Sequence, residues 1–446
     1  MGVNMAHIQS WAVLCTLFLV SAGGSASAAT VCVNAKPKPG CYLTITAGIT
    51  AAQPHDTVQV AQGTYHEEVI INKSLSLVGF GASNTILDAS SNNNGVGIYV
   101  DGMDNLRTQD IADGNLSGLS DVVVRGFTVT NAKFEGILVS NASNVTVVEN
   151  HVTGNNTILD AQNQLCGGLP DWETSEGFDC GEGIHLVAVD HSLVADNRVD
   201  HNAGGILLTD ETGPNHDNQI VENTVTENPI DCGITLASHK PAPNYALTPY
   251  GVFHNTIAFN ESTRNGVGAL GNGVGIGLFT SGGHANTATY GNVVIGNRTT
   301  ENGHTGIALH AHRNGAILID NVIIGNYIAR NGADTGDTST SGPTGVNVSA
   351  GTSAVPLTGT VISGNTINDE AIDIAVKTPA KIEIHLNNLQ SDGAVGVSNL
   401  GGGAVNATQN WWGCAGGPTA QGCSTVQGAG IIVAPWLTRP FNQGEH

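Results

Sequence analysis

Short stretches of alternating aliphatic and polar residues recur along most of the chain. In the segment QIVENTVTENPIDCGITLASH (219–239), Val221, Asn223 and Val225 stand two residues apart, and a Gly-Ile pair follows at 233–234. A period of two places such residues on one face of a β-strand. The pattern therefore predicts strands only a few residues long, separated by Gly or Asn.

The same two features repeat many times. Pairs of asparagines five residues apart occur at Asn150/Asn155, Asn197/Asn202, Asn223/Asn228, Asn255/Asn260, Asn297/Asn302 and Asn326/Asn331. Segments with two aliphatic residues two apart, mostly opened by Gly, occur at 136–139, 183–186, 205–208, 233–236, 275–278, 306–309, 345–348 and 371–374. Such short strands cannot bury a face alone but can when stacked coil upon coil. An all-β solenoid is predicted.

Each repeated residue type has an expected role. The first asparagine, such as Asn223, shares the parity of the inward valines and should form a ladder of side-chain amides between coils. The second, such as Asn228, should occupy a left-handed turn, and the Gly before each Ile should let the chain turn a corner. The residue between the two aliphatics should face outward: Leu138, His185, Leu207, Thr235, Gly277, Ala308, Asn347 and Asp373.

These repeats resemble the right-handed parallel β-helix proteins of the pectin-lyase-like superfamily over roughly residues 43–412. The stretch 56–89 is similar to the first coils of pectinesterases and equally to the periplasmic nitrous-oxide-reductase maturation family. The stretch NATQNWWGCAGGP (406–418) resembles the closing segment of bacterial members. The resemblance implies a right-handed parallel β-helix with long loop insertions and disulfide-stapled ends. This fold hosts lyases, hydrolases, epimerases, adhesins and phage spikes, so it does not fix a function.

The chain divides into four expected segments. The apolar stretch 11–22, followed by small residues at Ala26 and Ala28, is typical of a secretory signal peptide over 1–29. Residues 30–55 are expected to form an N-terminal cap, with a short helix near 46–53. The β-helix should span 56–412 and a C-terminal cap or tail 413–446. No run of 18 apolar residues occurs, so a secreted or periplasmic protein without a membrane span is predicted.

Charge and cysteine content narrow the possible partners. With 15 basic and 37 acidic residues the net charge is −22, which disfavours nucleic acid, anionic membranes, and polyanionic substrates unless a cation such as Ca²⁺ intervenes. In an oxidising compartment three short-range disulfides are expected, although sequence does not fix their connectivity. The pairs are Cys32/Cys41, Cys166/Cys180 and Cys414/Cys423. Cys232 is left as a buried free thiol.

Candidate chemistry lies in and beside the insertions. In the largest, 156–182, Trp172 and Glu173 suggest sugar stacking and hydrogen bonding, although an acidic, solvated loop is an equal alternative. Aligning the coils on their Gly-Ile pairs gathers a candidate catalytic set: Asp210, Glu211, His239, Lys240, His310, His312 and Arg313. Neighbouring loops add His216, Asp217 and Asp231 as candidate substrate ligands.

The residue types in this set suit acid–base chemistry. A carboxylate beside an imidazole is a workable general base, and Lys or Arg can stabilise an oxyanion or a uronate carboxylate. Because adjacent coils stack roughly 4.8 Å apart, Glu211 should neighbour His239. Ordinary surface histidines are the alternative. A zinc set of His239 with His310 and His312 would span two coils, so Ca²⁺ on Asp and Asn oxygens is the more plausible metal.

Known signatures of the superfamily's enzymes do not occur in the sequence. The chain lacks the Gly-His-Gly segment of polygalacturonase-type hydrolases, the Asp-Pro-His-Asp stretch of alginate epimerases, and an Arg-x-Pro-x-Arg lyase strand. The prediction is therefore general: a secreted β-helix that binds or acts on extracellular polysaccharide by lyase-, hydrolase- or epimerase-like chemistry. The alternative is a non-catalytic secreted or surface scaffold or adhesion protein, or a periplasmic maturation-type protein.

Overall fold

The structure is a computed structural model that describes most of the chain. It covers residues 28–91, 95–106, 117–156, 181–242, 251–268, 271–280, 287–335, 339–351 and 354–442. The expected signal peptide and the insertion that carries Trp172 fall largely outside these residues.

Short strands make up nearly all of the regular structure in the described residues. The first part of the chain contains β1 (Thr30–Val33), β2 (Cys41–Tyr42), α1 (Ile45–Ala51), β3 (Thr57–Val60), β4 (Gly63–Tyr65), β5 (Val69–Ile71), β6 (Ser76–Val78), β7 (Thr85–Asp88), β8 (Ile98–Asp101), β9 (Leu119–Arg125), β10 (Thr128–Thr130), β11 (Ile137–Val148) and β12 (His151–Thr153). Two 3₁₀ turns lie at Ala89–Ser91 and Met103–Asn105.

The central coils follow with the same brevity. They contain β13 (Glu182–Asp190), β14 (Leu193–Ala195), β15 (Arg198–Asp200), β16 (Gly204–Thr209), β17 (Asn215–His216), β18 (Gln219–Val221), β19 (Thr224–Thr226), β20 (Ile234–Ser238), β21 (Val252–Phe253), β22 (Thr256–Ala258), β23 (Glu261–Thr263), β24 (Ile276–Thr280), β25 (Ala288–Tyr290), β26 (Val293–Ile295) and β27 (Arg298–Thr300).

The last coils complete the solenoid. They contain β28 (Ile307–Ala311), β29 (Ile317–Ile319), β30 (Val322–Ile324), β31 (Tyr327–Ala329), β32 (Thr344–Ser349), β33 (Val361–Ser363), β34 (Thr366–Asn368), β35 (Ile372–Lys377), β36 (Ile382–His385), β37 (Asn388–Leu389), β38 (Val395–Asn399), β39 (Val405–Asn406), β40 (Thr425–Gln427) and β41 (Ile431–Ile432).

Strands of successive coils pair in parallel and form the sides of a parallel β-helix. The first sheet runs β5, β8, β11, β13, β16, β20, β24, β28, β32, β35, β38 and β40. The second side includes β14, β18, β22, β26, β30, β33 and β36. The third runs from β4 to β37. The predicted solenoid is confirmed, and α1 packs on β1, β2, β3 and β5 at the N-terminal end, where a short helix was expected.

The Gly before each inward Ile is explained by close packing between coils. A Cβ added at Gly205 would lie 2.0 Å from the Gly233 carbonyl oxygen and 2.4 Å from a Val225 methyl carbon. Gly205 and Gly233 do not have positive φ angles. The predicted corner-turning role is therefore wrong. Glycine is needed at these positions because the neighbouring coil leaves no room for a side chain.

Three ladders of side-chain amides run along the solenoid. In the first, Asn223 donates from its backbone N and its Nδ2 to Asn260 Oδ1, at 2.9 and 3.0 Å, and Nδ2 also donates to the Val194 carbonyl. The amide replaces the strand hydrogen bonds that a bend interrupts. This ladder contains Asn150, Asn197, Asn223, Asn260, Asn297, Asn326, Asn365, Asn387 and Asn410. The predicted ladder is confirmed.

The other two ladders correct the sequence interpretation. Asn228 is fully buried and belongs to a second ladder, so its predicted place in a left-handed turn is wrong. The left-handed residue is the one before, Glu227, at φ 58°. Asn255 belongs to a third ladder rather than to the first. The second ladder is Asn155, Asn202, Asn228, Asn265, Asn302 and Asn331; the third is Asn218, Asn255, Asn292 and Asn321.

A carboxyl group ends the second ladder. Glu370 Oε1 accepts hydrogen bonds from Asn331 N and Nδ2 at 2.9 and 3.0 Å, where every earlier position has an asparagine amide. Burial raises the pKa of Glu370 to about 7. The ladder needs only an acceptor at this position, so the neutral carboxylic acid satisfies it without a buried charge.

The ends of the chain carry the two disulfides that the structure describes. Cys32 bonds Cys41 and Cys414 bonds Cys423, and Cys232 is free and buried, which confirms these three expectations. The expected Cys166–Cys180 bond lies outside the described residues. Within the described ranges there is no helix of the length and hydrophobicity needed to cross a bilayer.

Replacing one ladder amide should destabilise the solenoid. In Asn260→Ala the Asn223 N–H and the Ile220 carbonyl lose their buried partner. Because each unpaired buried group costs about 1–3 kcal/mol, we expect the free energy of unfolding to fall by about 2–4 kcal/mol in urea titrations. Asn84→Ala, at an exposed asparagine, is the control and should stay within about 0.5 kcal/mol. Equal effects of the two changes would contradict a structural role for the ladder.

Replacing Glu370, the carboxyl group at the end of the second ladder, should change how the free energy of unfolding depends on pH. The raised pKa of Glu370 means that its contribution is fully present below about pH 4.5 and is lost as pH rises through about 7. Glu370→Gln keeps the acceptor without the charge, so relative to wild type it should gain about 2–3 kcal/mol at pH 8 and little at pH 4.5. Urea unfolding at both values measures this. The exposed Glu222→Gln should show no such pH-dependent gain, and a gain from Glu370→Gln that is larger at pH 4.5 would refute the assignment.

Candidate functional site on the outer face of the first sheet

Much of the outward face of the first sheet is covered. Leu138, His185, Leu207 and Ala308 lie on the outward face of their strands as predicted, but they are at most 1% exposed because this face is covered. Apolar residues from the segments that enter and leave the strands pack over this face and form a second core. Its members are Val96, Phe134, Leu138, Val187, Ala203 and Ile230. Polar groups on this face therefore lie in an environment that excludes water.

Asp210 holds the corner that follows β16 and β20. Its carboxylate accepts hydrogen bonds from His239 N at 2.7 Å, Ser238 Oγ at 2.9 Å and Gly251 N at 2.5 Å, and the side chain is fully buried. Burial and the neighbouring Glu211 raise the pKa of Asp210 to about 7. With three donors already on its two oxygens, Asp210 stabilises the corner.

Glu211 and His239 form the contact that the coil alignment predicted. Glu211 Oε1 lies 2.5 Å from His239 Nδ1, and both side chains are buried. Burial alone would raise the pKa of Glu211, but the attraction of His239 and hydrogen bonding from Thr209 outweigh it and lower the pKa. Glu211 is therefore an ionised carboxylate that orients an imidazole.

A second, connected pair was missed by the sequence interpretation. Glu135 Oε1 lies 2.6 Å from His185 Nδ1, and His185 Nε2 lies 2.9 Å from Thr209 Oγ1. Burial raises the pKa of Glu135 in spite of the nearby His185. A sequence signal existed, since Glu135 and Glu182 each directly precede the Gly of a repeat. This pair is fully buried, which separates it from solvent in the same way as the pair at Glu211.

A third carboxylate–imidazole pair lies two strands beyond β20, on β28. His310 Nε2 lies 3.0 Å from Asp334 Oδ2, and the same oxygen accepts a hydrogen bond from Asn347 Nδ2 at 3.0 Å. Burial lowers the pKa of the nearby His304, which keeps that ring neutral. The sequence interpretation found His310 but not Asp334, because Asp334 comes from the long connection to β32.

Phe279 on β24 lies between the pairs on β16–β20 and on β28. The register pairs Ala237 with Phe279 and Phe279 with His310. The Phe279 ring stacks on His312 at 5.9 Å and lies 5.3 Å from the His310 ring. Phe279 and His312 are partly exposed, which makes this the part of the face that a ligand can reach.

The remaining predicted residues fall in different places. Lys240 and Arg313 are exposed, each directly following His239 or His312 along the chain. Asp231 is 9% exposed, and its Oδ1 accepts a hydrogen bond from the Cys232 backbone N–H. His216 and Asp217 lie beyond the corner, on another side of the coil. Trp172 and Glu173 lie outside the described residues, so their predicted sugar contacts stay a prediction.

Within the part of the chain that the structure describes, two groups of side chains have the spacing to hold a metal ion. Glu135, Glu182 and His185 are buried, and His191, His216 and Asp217 are at the surface; in each group the ligand atoms lie within 4.8 Å of one another. His310 and His312, two members of the zinc set that the sequence makes less plausible than Ca²⁺, have ring centroids 6.0 Å apart.

Removing the imidazole from the buried pair should be costly. In His239→Ala the Glu211 carboxylate stays buried without its partner, so we expect the free energy of unfolding to fall by about 3–5 kcal/mol. The double variant Glu211→Leu/His239→Leu should recover much of that loss, because it removes both charges.

The matched control is the exposed ion pair of Arg330 and Glu301, 2.9 Å apart. Arg330→Ala should cost less than about 1 kcal/mol. Urea unfolding of the four proteins measures the differences. A cost of less than about 1 kcal/mol for His239→Ala would contradict the buried-pair assignment.

Comparison with known proteins agrees with this architecture. Residues 77–287 match the sequence family described as a right-handed beta helix region. No curated protein sequence matched the chain.

Several solved structures share the fold at low sequence identity. The A-module of Azotobacter vinelandii mannuronan C-5 epimerase AlgE6 has a TM-score of 0.53 at 15% identity, covering 89% of this chain and 94% of that one. DFA-IIIase from Arthrobacter chlorophenolicus A6 has 0.52 at 14%, covering 92% and 99%. The catalytic domain of a GH87 alpha-1,3-glucanase in complex with nigerose has 0.52 at 13%, covering 87% and 66%.

Proposed function

We propose that this chain, which has the parallel β-helix fold and matches the right-handed beta helix region family over residues 77–287, is an exported protein that acts on a polysaccharide or oligosaccharide. One observation carries the proposal. Two carboxylate–imidazole pairs, Glu211–His239 and Asp334–His310, flank the partly exposed ring of Phe279 on the outer face of neighbouring strands.

Each part of this arrangement has a role in carbohydrate chemistry. An aromatic ring offers an apolar surface on which a sugar ring can pack. An imidazole held by a carboxylate can take a proton, because the carboxylate orients the ring and stabilises the imidazolium that forms. His310 is the catalytic base in this proposal, and the partly exposed His312 beside it contacts the substrate.

The exposed cations complete the site. Lys240 and Arg313 are exposed and follow His239 and His312 directly along the chain, each two residues after the end of β20 or β28. Cations in this position can bind a uronate carboxylate or stabilise negative charge that develops during proton abstraction. Imidazole bases with rim cations favour lyase- or epimerase-like chemistry over hydrolysis, which uses a pair of accessible carboxyl groups.

Further support comes from the related folds and from the ends of the chain. The three structures with the fold in common are, by their titles, an epimerase, a glucanase with a bound sugar, and DFA-IIIase. The apolar stretch 11–22 and the bonded pairs Cys32–Cys41 and Cys414–Cys423 support export to an oxidising compartment. Within this proposal Ca²⁺ is an optional partner of an anionic glycan.

The test is a panel of glycans with and without uronate groups, each assayed with Ca²⁺ and with a chelator. Reducing ends report hydrolysis, ultraviolet absorbance of unsaturated uronates reports elimination, and proton NMR reports C5 inversion. We expect activity on at least one uronate polymer. His310→Ala and His312→Ala should each lower kcat/KM at least about tenfold, which corresponds to about 1.4 kcal/mol of transition-state binding.

His66→Ala is the matched control, since His66 is an exposed histidine that pairs with Asp88 near the first coils. It should leave kcat/KM within about twofold, and circular dichroism should show that all variants are folded. Full activity in both the His310 and His312 variants would place the site elsewhere. No turnover or binding of any glycan would refute the proposed function.

Burial favours a second candidate function. Asp210, Glu211 and His239 are at most 1% exposed and bond one another or the backbone. A non-catalytic scaffold, surface protein or periplasmic maturation factor would need these groups only to hold the corner in shape. In that case His239→Ala would lower the free energy of unfolding, while His312→Ala would change neither that free energy nor the response to any glycan.

A further inference from the structure

Two acid–imidazole dipeptides of opposite order face each other on adjacent coils. Asp190-His191 follows the first sheet in one coil, and His216-Asp217 lies in the next. The parallel register pairs Asp190 with His216 and so sets His191 beside Asp217. Carboxylates and imidazoles therefore alternate in both directions on this small patch.

The hydrogen bonds fix the orientation of both rings. Asp190 Oδ1 lies 2.7 Å from His191 Nδ1, and Asp217 Oδ2 lies 2.8 Å from His216 Nδ1. Asp190 is held in turn by the Ser117 hydroxyl at 2.9 Å. A neutral imidazole that donates from Nδ1 keeps its lone pair on Nε2. A carboxylate behind the ring is the usual arrangement of a metal-ligating histidine.

Among the described residues, no hydrogen bond occupies Nε2 of His191, while His216 Nδ1 and Asp217 Oδ2 lie 2.8 Å apart and can reach one ion. The ring centroids are 5.8 Å apart in an edge-to-face arrangement. The ligand atoms of His191, His216 and Asp217 lie within 4.8 Å of one another. Ligands at about 2.0–2.2 Å from a tetrahedral ion stand roughly 3.4 Å apart, so the exposed His191 side chain needs a shift of about an ångström to complete the set.

We propose that His191 through Nε2, and His216 and Asp217 through the Nδ1 and Oδ2 atoms that now share a hydrogen bond, bind a divalent transition metal ion of the zinc type, with Asp190 orienting His191. Two imidazole nitrogens and one carboxylate oxygen suit Zn²⁺, Ni²⁺ or Cu²⁺ and are poor ligands for Ca²⁺, which prefers oxygen. The ion joins two adjacent coils, so it fastens the corner between β13 and β17. This inference does not depend on the proposed activity on glycans.

The buried group at Glu135, Glu182 and His185 is a weaker choice for the same ion. Both ring nitrogens of His185 already have partners, Glu135 at 2.6 Å and Thr209 at 2.9 Å. Metal binding there would break one of these bonds in a fully buried place. At the surface the ion needs to displace only water and the single proton that His216 and Asp217 share.

The experiment is isothermal titration of the full chain, purified without a histidine tag, with ZnCl₂ at pH 7.5. We expect one site with Kd in the micromolar range or tighter, and a rise in Tm on saturation. His191→Ala and His216→Ala should each weaken this site at least tenfold and abolish the rise in Tm. Co²⁺ should give the intense visible absorption of a four-coordinate site in wild type and not in the His191 or His216 variants.

The matched control is His254→Ala. His254 is an exposed imidazole on the next coil that packs edge-to-face on Phe253 and Tyr290. It should keep the affinity within twofold, and excess Ca²⁺ should not compete. Binding unchanged in both the His191 and His216 variants would assign the ion to other histidines, and no binding at millimolar Zn²⁺ would refute the site. Either result overturns the inference.

Discussion

The need to satisfy backbone polar groups at every bend determines this structure. Parallel strands, most of them two to six residues long, satisfy their N–H and C=O groups with the coils above and below, but a bend breaks that pattern. A buried asparagine resolves the problem, because its Oδ1 accepts from the backbone and side-chain amides of one neighbouring coil. Its Nδ2 donates to a carbonyl of that same neighbouring coil and to the Oδ1 of the next asparagine on the other side. Stacked along the axis, these amides keep each coil in phase with the next.

That fixed phase is what assembles the candidate site from distant segments. Glu211 and His239 are 28 residues apart, yet they meet because β16 and β20 are adjacent strands held in one register. His310 lies on the same face because β28 is paired in register with β24. The distance between successive asparagines of the first ladder varies from 22 to 47 residues. The coil therefore accepts insertions of different length without moving the residues that the ladders position.

Features that repeat from coil to coil could be predicted from the sequence. Features that depend on the path of a long loop could not. Alternation predicted the strands, and coil spacing predicted the contact of Glu211 with His239. Asn228 was misplaced because a five-residue step suits a turn as well as a second ladder, and local parity does not distinguish the two. The burial of Leu138 was missed for another reason. It depends on Phe134 and residues from other loops that fold over the sheet, and no local pattern reports that contact.

Asp334 shows the same limit for chemistry. It completes the pair with His310 from a connection whose path is not periodic, so a search along the coils finds the imidazole without its carboxylate. The dipeptides Asp190-His191 and His216-Asp217 are the converse case. Neither dipeptide stands out in the sequence. They form one cluster only because β13 and β17 are paired in register. In a solenoid, a search for a functional site should therefore begin with equivalent positions of adjacent coils, because the ladders fix where those residues lie. The insertions that cover them come afterwards, because the ladders do not fix their paths.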